Sequence, residues 1–143
     1  MALACNEPEL EQLLRDVAFT RDFGFTVHSI ADGQCTLDVP FRAAFERPGG
    51  IVSGQVFMAA ADVAMWLAIK TMLGIGDGSV TVEMKTNFLG SVRKQGFRCT
   101  ARVLKLGRQL IYGSAECLDE EGKLLTHHTL TYIRVRQPND ANS

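Results

Sequence analysis

The hydrophobic pattern divides the chain into one short helix, a hairpin, one long helix and a run of four strands. Over residues 8–21, Leu10, Leu13, Leu14 and Val17 recur at helical spacing and acids crowd the first turn, which predicts a helix. Residues 24–30 and 35–41 alternate between apolar and polar positions on either side of Ala31, Asp32 and Gly33, which predicts a hairpin. Residues 42–52 contain Pro48, Gly49 and Gly50 and read as a loop. Ser53 is placed to cap a long helix that runs to about Leu73, where Gly74 and Gly76 stop it. Four strand-like runs follow at 79–89, 96–106, 109–118 and 123–136, joined by short links. Hairpin-like links predict a largely antiparallel sheet of about five to six strands, and hence an α+β fold. The long helix is apolar almost all round, which predicts a curved sheet wrapped about it. Ala60, Ala64 and Ala68 form a stripe of small residues along it. The stripe suits close packing on the sheet and suits a partner helix equally.

Within that helix, residues 55–69 read QVFMAAADVAMWLAI, and Asp62 is the only charge. Burying an unpaired carboxylate costs several kcal/mol, so such a group finds hydrogen-bond partners or does chemistry. A purely structural aspartate and a catalytic one are both consistent with the run itself. The helix start, GGIVSGQ, sets two glycines, a hydroxyl and a third glycine before and at the first turn. Free N–H groups and the positive end of the helix dipole make such a start an oxyanion or phosphate site; it also serves as a plain turn and cap. Gly54 and Asp62 are eight residues apart, about 12 Å along a helix. One helix therefore cannot bring both to the same carbonyl. If both are catalytic, Asp62 of one chain must face Gly54 of another, as in a two-fold dimer with antiparallel central helices.

Composition narrows the classes. The 143 residues are 46% hydrophobic and 22% charged, with a net charge of −1, which fits one globular domain over 1–143. That balance leaves no footprint for nucleic acid and no polybasic membrane patch. Cys5, Cys35, Cys99 and Cys117 are widely spaced and form no metal-ligand motif, so reduced thiols in a cytoplasmic protein are expected and a metal is not. The first residues, MALACNEPELEQLL, carry acids and do not read as a secretory signal. Residues 55–69 are too short to span a membrane and carry a charge. An N-terminal helix is expected within 1–22 and a flexible tail at 137–143. His127 and His128 are neighbours on a strand, so one faces in and the other out. His28 has no constellation around it.

Four segments carry a resemblance to a known family: GGIVSGQVFMAAADVAM, VTVEMKTNFLGSVRKQG, ARVLKLGRQLIYGSAECLDEEGKLL and THHTLTYIRV. Over about residues 24–135 the chain resembles the hotdog-fold acyl-CoA thioesterases of the phenylacetate-degradation (PaaI-like) branch. The family motif at the helix start is Asn-x-x-Gly-x-x-His-Gly-Gly, followed by an acid on the helix. Gly50 and Gly54 match its first two glycines, and Asp62 falls at the acid. Three positions depart: Arg47 stands at the Asn, Ser53 at the His and Gln55 at the last Gly. The resemblance implies hydrolysis of an acyl-CoA to an acid and CoA. Asp62 would be general base or nucleophile, the Gly54 N–H an oxyanion donor and Thr81 a water-positioning hydroxyl, with Ser53 where the histidine would polarise the carbonyl. Alternation alone sets Thr81 on the face opposite Val80, Val82, Met84, Thr86 and Phe88.

The resemblance also implies substrate contacts at Arg47, Gly50, Val52, Gln55, Asn87, Leu89, Gly90, Ser91, Gly107 and Arg108. Arg93 and Lys94 are further basic candidates for the CoA phosphates. Met58, Met65, Trp66 and Phe88 suit an apolar acyl or aryl group and suit a core equally. No cofactor is implied beyond CoA as part of the substrate, and the chain is expected to pair with itself as a dimer or a dimer-of-dimers tetramer. Two other functions compete. A hotdog hydratase would pair the aspartate with a histidine five residues on, where Leu67 stands. A non-catalytic acyl-CoA-binding protein is the alternative that the changes at Arg47, Ser53 and Gln55 motivate.

Overall fold

A computed structural model describes residues 2–135, so the tail expected at 137–143 lies outside the described residues. The first helical pattern folds as two pieces, α1 (Glu7–Asp16) and α2 (Ala18–Arg21). Asn6 and Glu9 form a reciprocal capping box at the start of α1. The break falls at Val17, whose backbone is extended. There the Thr20 hydroxyl donates to the Leu14 carbonyl, an acceptor that the end of α1 leaves free (2.8 Å).

Strands β1 (Thr26–Ala31) and β2 (Gln34–Val39) form the expected hairpin. The loop expected at 42–52 carries more structure than its composition suggests. A short 3-10 turn, Ala43–Phe45, leads into a small ribbon of β3 (Glu46–Arg47) and β4 (Ile51–Val52). Its turn has Pro48 second and Gly49 third, with Gly49 at φ 98° and the Gly50 N–H donating to the Arg47 carbonyl. That is a type II turn, whose third position favours glycine.

The long helix α3 (Gly54–Leu73) then crosses the sheet and packs on β2 and on all four strands that follow it. Those four are β5 (Val80–Phe88), β6 (Phe97–Leu106), β7 (Leu110–Leu118) and β8 (Leu124–Ile133). All pairings are antiparallel, in the order β1-β2-β6-β7-β8-β5. One long helix cradled by a six-stranded antiparallel sheet is the hotdog arrangement. Among the described residues α3 is the one helix with the length and hydropathy of a membrane span, and 67% of that stretch is buried in the fold. Its apolarity is that of a core helix.

Ala60, Ala64 and Ala68 are fully buried, so the small-residue stripe seats α3 within its own chain. The helix is not covered on every side, however. Gln55 is exposed and Ala59, Asp62, Trp66 and Leu73 are half-buried. At 100° per residue these five fall on one narrow stripe, the side the sheet leaves open.

His127 and His128 divide as expected, His128 being fully buried and His127 only partly. His128 Nδ1 pairs with the Thr86 hydroxyl at 2.8 Å and Nε2 with the Thr126 hydroxyl at 2.7 Å. The Cys117 thiol lies 3.9 Å from Nε2. Every polar atom of this histidine serves packing. His128→Ala would open a cavity and strip the buried Thr126 hydroxyl and the half-buried Thr86 hydroxyl of their partner. We expect a loss of about 3 kcal/mol and a fall in Tm of roughly 10 °C. Thermal unfolding followed by circular dichroism measures it, and an unchanged Tm would show that the network carries no stability.

Candidate functional site

Asp62 is only half-buried, so the cost of an enclosed carboxylate is smaller than the bare sequence implies. It stands on the open stripe of α3 and faces the edge strand β5. The pairing of β5 with β8 skips one residue between Thr81 and Glu83, a bulge at Val82. The bulge resets the alternation of the strand. Thr81 pairs with Tyr132, Met84 with Leu130, Thr86 with His128 and Phe88 with Thr126. Those four partners alternate along β8 and are all buried, so Thr81, Met84, Thr86 and Phe88 share the face turned to α3. Simple alternation set Thr81 on the opposite face, and the bulge is why it is not there.

The Thr81 hydroxyl donates to Asp62 Oδ1 at 2.7 Å, and the Tyr132 hydroxyl reaches the same oxygen at 2.7 Å. Tyr132 also lies 2.8 Å from the Asp62 carbonyl oxygen. Among the described residues, no hydrogen bond engages Oδ2. Burial, and then the charge of Asp62, push the Tyr132 hydroxyl far above its usual range, so it remains a protonated donor. The surrounding cleft, about 300 Å³, has apolar walls of Val17, Phe19, Val63, Trp66 and Val80, with Thr20, Ser79, Thr81 and Tyr132 between them. Tyr132 and Phe19 carried no sequence signal. Tyr132 is seventy residues from Asp62, and Phe19 joins the cleft only because the break at Val17 turns α2 toward α3.

A second cleft, about 280 Å³, opens at the start of α3. Arg47, Val52, Gly54, Gly90 and Ser91 converge there with Ile51, Phe57 and Phe88. The ribbon strand β4 docks on the segment after β5, with the Val52 N–H donating to the Val92 carbonyl. The N–H groups of Leu89 and Gly90 both bond the Leu125 carbonyl, which sets the 89–91 segment beside Gly54. A side chain at 54 would begin 2.8 Å from the exposed Phe88 ring, so any larger residue there would have to push that ring aside. Ser53 occupies the N-cap position, but its hydroxyl makes no capping bond, and it does not line the cleft. The Gly54 and Gln55 N–H groups precede the first intrahelical bond and have no acceptor among the described residues. An anion at that point would find two donors and the positive end of a twenty-residue helix.

The remaining expected contacts scatter. Gln55, Asn87 and Leu89 are exposed beside the second cleft, and Gly50 lies in the ribbon turn next to Glu46 and the Lys94 chain. Lys94 reaches Glu46 at 4.0 Å, a weak surface pair. Gly107 and Arg108 turn between β6 and β7 at the other end of the sheet, where Leu110 pairs with Ile133 and Ile133 with Val80. They belong to the Asp62 end and not to the Gly54 end. Of the apolar candidates, Trp66 lines the Asp62 cleft and Phe88 the Gly54 cleft. Met65 is buried in the core, and Met58, half-buried, lines neither cleft. Asp62 and Gly54 thus fall in different clefts of one chain, as their spacing along the helix requires.

Residues 49–126 match the family model described as the thioesterase superfamily. A Saccharolobus solfataricus protein named "Putative esterase" is 34% identical over 98 residues, which are 68% of this chain and 69% of that protein. In structure, a Haemophilus influenzae thioesterase aligns with a TM-score of 0.85 at 23% identity, covering 95% of this chain and 96% of its own. A hypothetical thioesterase of Streptococcus pneumoniae, solved with coenzyme A, aligns with a TM-score of 0.72 at 16% identity over 80% of this chain and 88% of its own.

Proposed function

This chain belongs to the thioesterase superfamily, and we propose that within it the protein is an acyl-CoA thioesterase of the PaaI-like branch, with Asp62 as the residue that activates water. The observation that carries the reading is the hydrogen-bonding of Asp62, which has two hydroxyl donors on Oδ1 and none on Oδ2, in a cleft with apolar walls. A water held by Oδ2 and by a lone pair of the Thr81 hydroxyl would point its own lone pair into the cleft. Its oxygen attacks the thioester carbonyl carbon while its proton passes to Oδ2. The tetrahedral oxyanion needs donors, and the free N–H of Gly54 supplies them from a second copy of the chain. Collapse breaks the C–S bond, and the CoA thiolate leaves and takes the proton back from Asp62.

The second copy follows from the edge of the sheet. β5 has one unpaired edge, and Val80, Val82, Phe88 and Leu89 stay about half exposed or more on and beside it. An edge of this kind invites pairing with another strand. Two β5 strands paired antiparallel about an axis near Met84, the midpoint of the strand, would lay Val80 of one copy beside Phe88 of the other. That brings Asp62, Thr81 and Arg108 of one copy to Gly54, Gly90 and Ser91 of the second. Arg108, Arg93 and Arg47 then serve the CoA phosphates, and the apolar cleft takes the acyl or aryl group. The S. pneumoniae neighbour with its bound coenzyme A supports the choice of substrate.

The test is a panel of acyl-CoA esters offered to purified protein, with free thiol followed as it appears. Short apolar and aryl esters are expected to turn over at rates well above those of an Asp62→Ala control. If no ester exceeds that control, the assignment fails. The uncapped hydroxyl of Ser53, away from the cleft and in place of the family histidine, favours one second reading, binding without turnover. Calorimetry showing tight acyl-CoA binding with no thiol release would select it.

A further inference from the structure

Tyr132 bonds the carboxylate of Asp62, yet the proposed chemistry gives it no step of its own. It lies on β8, directly across from Thr81 on β5, so two neighbouring strands present their hydroxyls side by side to one carboxylate oxygen on the helix. Its ring is buried, 2% exposed, which fixes where the hydroxyl can reach. The hydroxyl has one proton and two acceptors in range, the Asp62 carbonyl and Oδ1. The charged oxygen takes the stronger bond. We propose that Tyr132 is a positioning residue for the reaction, tying Oδ1 of Asp62 to β8 so that Oδ2 alone faces the cleft. This rests on the reading of Asp62 as the water-activating group.

The physical case is one of rotation. An aspartate side chain on an open helix face turns freely about its last bond and exchanges its two oxygens. One donor, Thr81, sits on an edge strand and is itself exposed. The second donor comes from the sheet interior, and together the two leave one carboxylate orientation. A free-swinging carboxylate would still bind substrate nearby, but it would spend less time holding water in line with the carbonyl. The contribution therefore falls on turnover and not on affinity.

The experiment compares wild type, Tyr132→Phe, Asp62→Asn and the double variant on the best ester of the panel, with Tyr112→Phe as an exposed control on β7. Tyr132→Phe keeps the buried ring and removes one hydroxyl. We expect kcat to fall roughly 10- to 100-fold, with KM within about twofold of wild type. In the Asp62→Asn background the same change is expected to cost nothing further, since the oriented carboxylate is already gone. Tyr112→Phe should match wild type. A Tyr132→Phe enzyme with wild-type kcat, or one whose loss is equally large without Asp62, would overturn the positioning role while leaving the thioesterase reading intact. Equal activity of wild type and Asp62→Asn would instead overturn the reading of Asp62 as the water-activating group, and the positioning role with it.

Discussion

Asp62→Asn is expected to bring thioester hydrolysis down about 10³-fold while acyl-CoA binding and fold stability stay near wild type. General acid–base groups contribute about 10²- to 10⁴-fold, and this is the one carboxylate lining the Asp62 cleft. The choice of asparagine matters. Its amide oxygen can take the place of Oδ1 and still accept from Thr81 and Tyr132. Its amide nitrogen takes the place of Oδ2 and cannot accept a proton from water. The variant is therefore nearly isosteric, and a loss of kcat reports the missing base and not a collapsed cleft. Substrate affinity measured by calorimetry should change little, since the apolar walls and the proposed phosphate contacts are untouched. A variant that turned over within tenfold of wild type would exclude Asp62 as the activating group. A single turnover in ¹⁸O-labelled water separates the two roles open to the carboxylate. Direct attack by water puts the label only in the acid product. Attack by Asp62 itself forms an anhydride, and label found in the protein, left there when water attacks the aspartyl carbonyl, would establish that route.

The second large effect is a rescue. Asp62→Ala removes the base, and Gly54→Val sets a branched side chain beside the Phe88 ring at the mouth of the second cleft, where it blocks a carbonyl from reaching the Gly54 N–H. Loss of an oxyanion donor costs about 10²- to 10³-fold, so each variant alone should be close to inactive. If each site takes Asp62 from one copy and Gly54 from another, a mixed dimer holds one site with both residues native and one with both replaced. Random pairing of equal amounts then restores about one quarter of wild-type activity. Separately tagged chains, co-expressed and purified through both tags, give the mixed species directly at about half. Verified mixed dimers with no recovered activity would mean that each chain works alone or that the site is assembled otherwise. Light scattering belongs beside this measurement, because a monomer at micromolar concentration would remove its premise.

Much of this architecture was legible before folding. The hairpin, the long helix and the four later strands follow from periodicity, because side-chain alternation and helical spacing are local properties. The break at Val17 was not visible, because Leu10, Leu13, Leu14 and Val17 keep helical spacing up to it. Residues 42–52 concealed a ribbon because two-residue strands are too short for any period, and their pairing depends on docking to Val92 and Arg93. The small-residue stripe of Ala60, Ala64 and Ala68 was equally suited to sheet or partner, and only burial within the chain assigned it to the sheet.

By itself the sequence determined that Asp62 and Gly54 lie on one helix about 12 Å apart and so cannot share a carbonyl from the same chain. That conclusion needs only the rise of a helix, a property of the backbone. Tertiary structure alone decided which side of the helix stays open and which side chains meet Asp62 there. Thr81 reaches it because a bulge at Val82 shifts one strand by a residue, and the pairing of β5 with β8 sets that shift. Tyr132 reaches it across seventy residues of chain. Register and long-range contact are properties of packed elements, and no local pattern of apolar and polar residues encodes them.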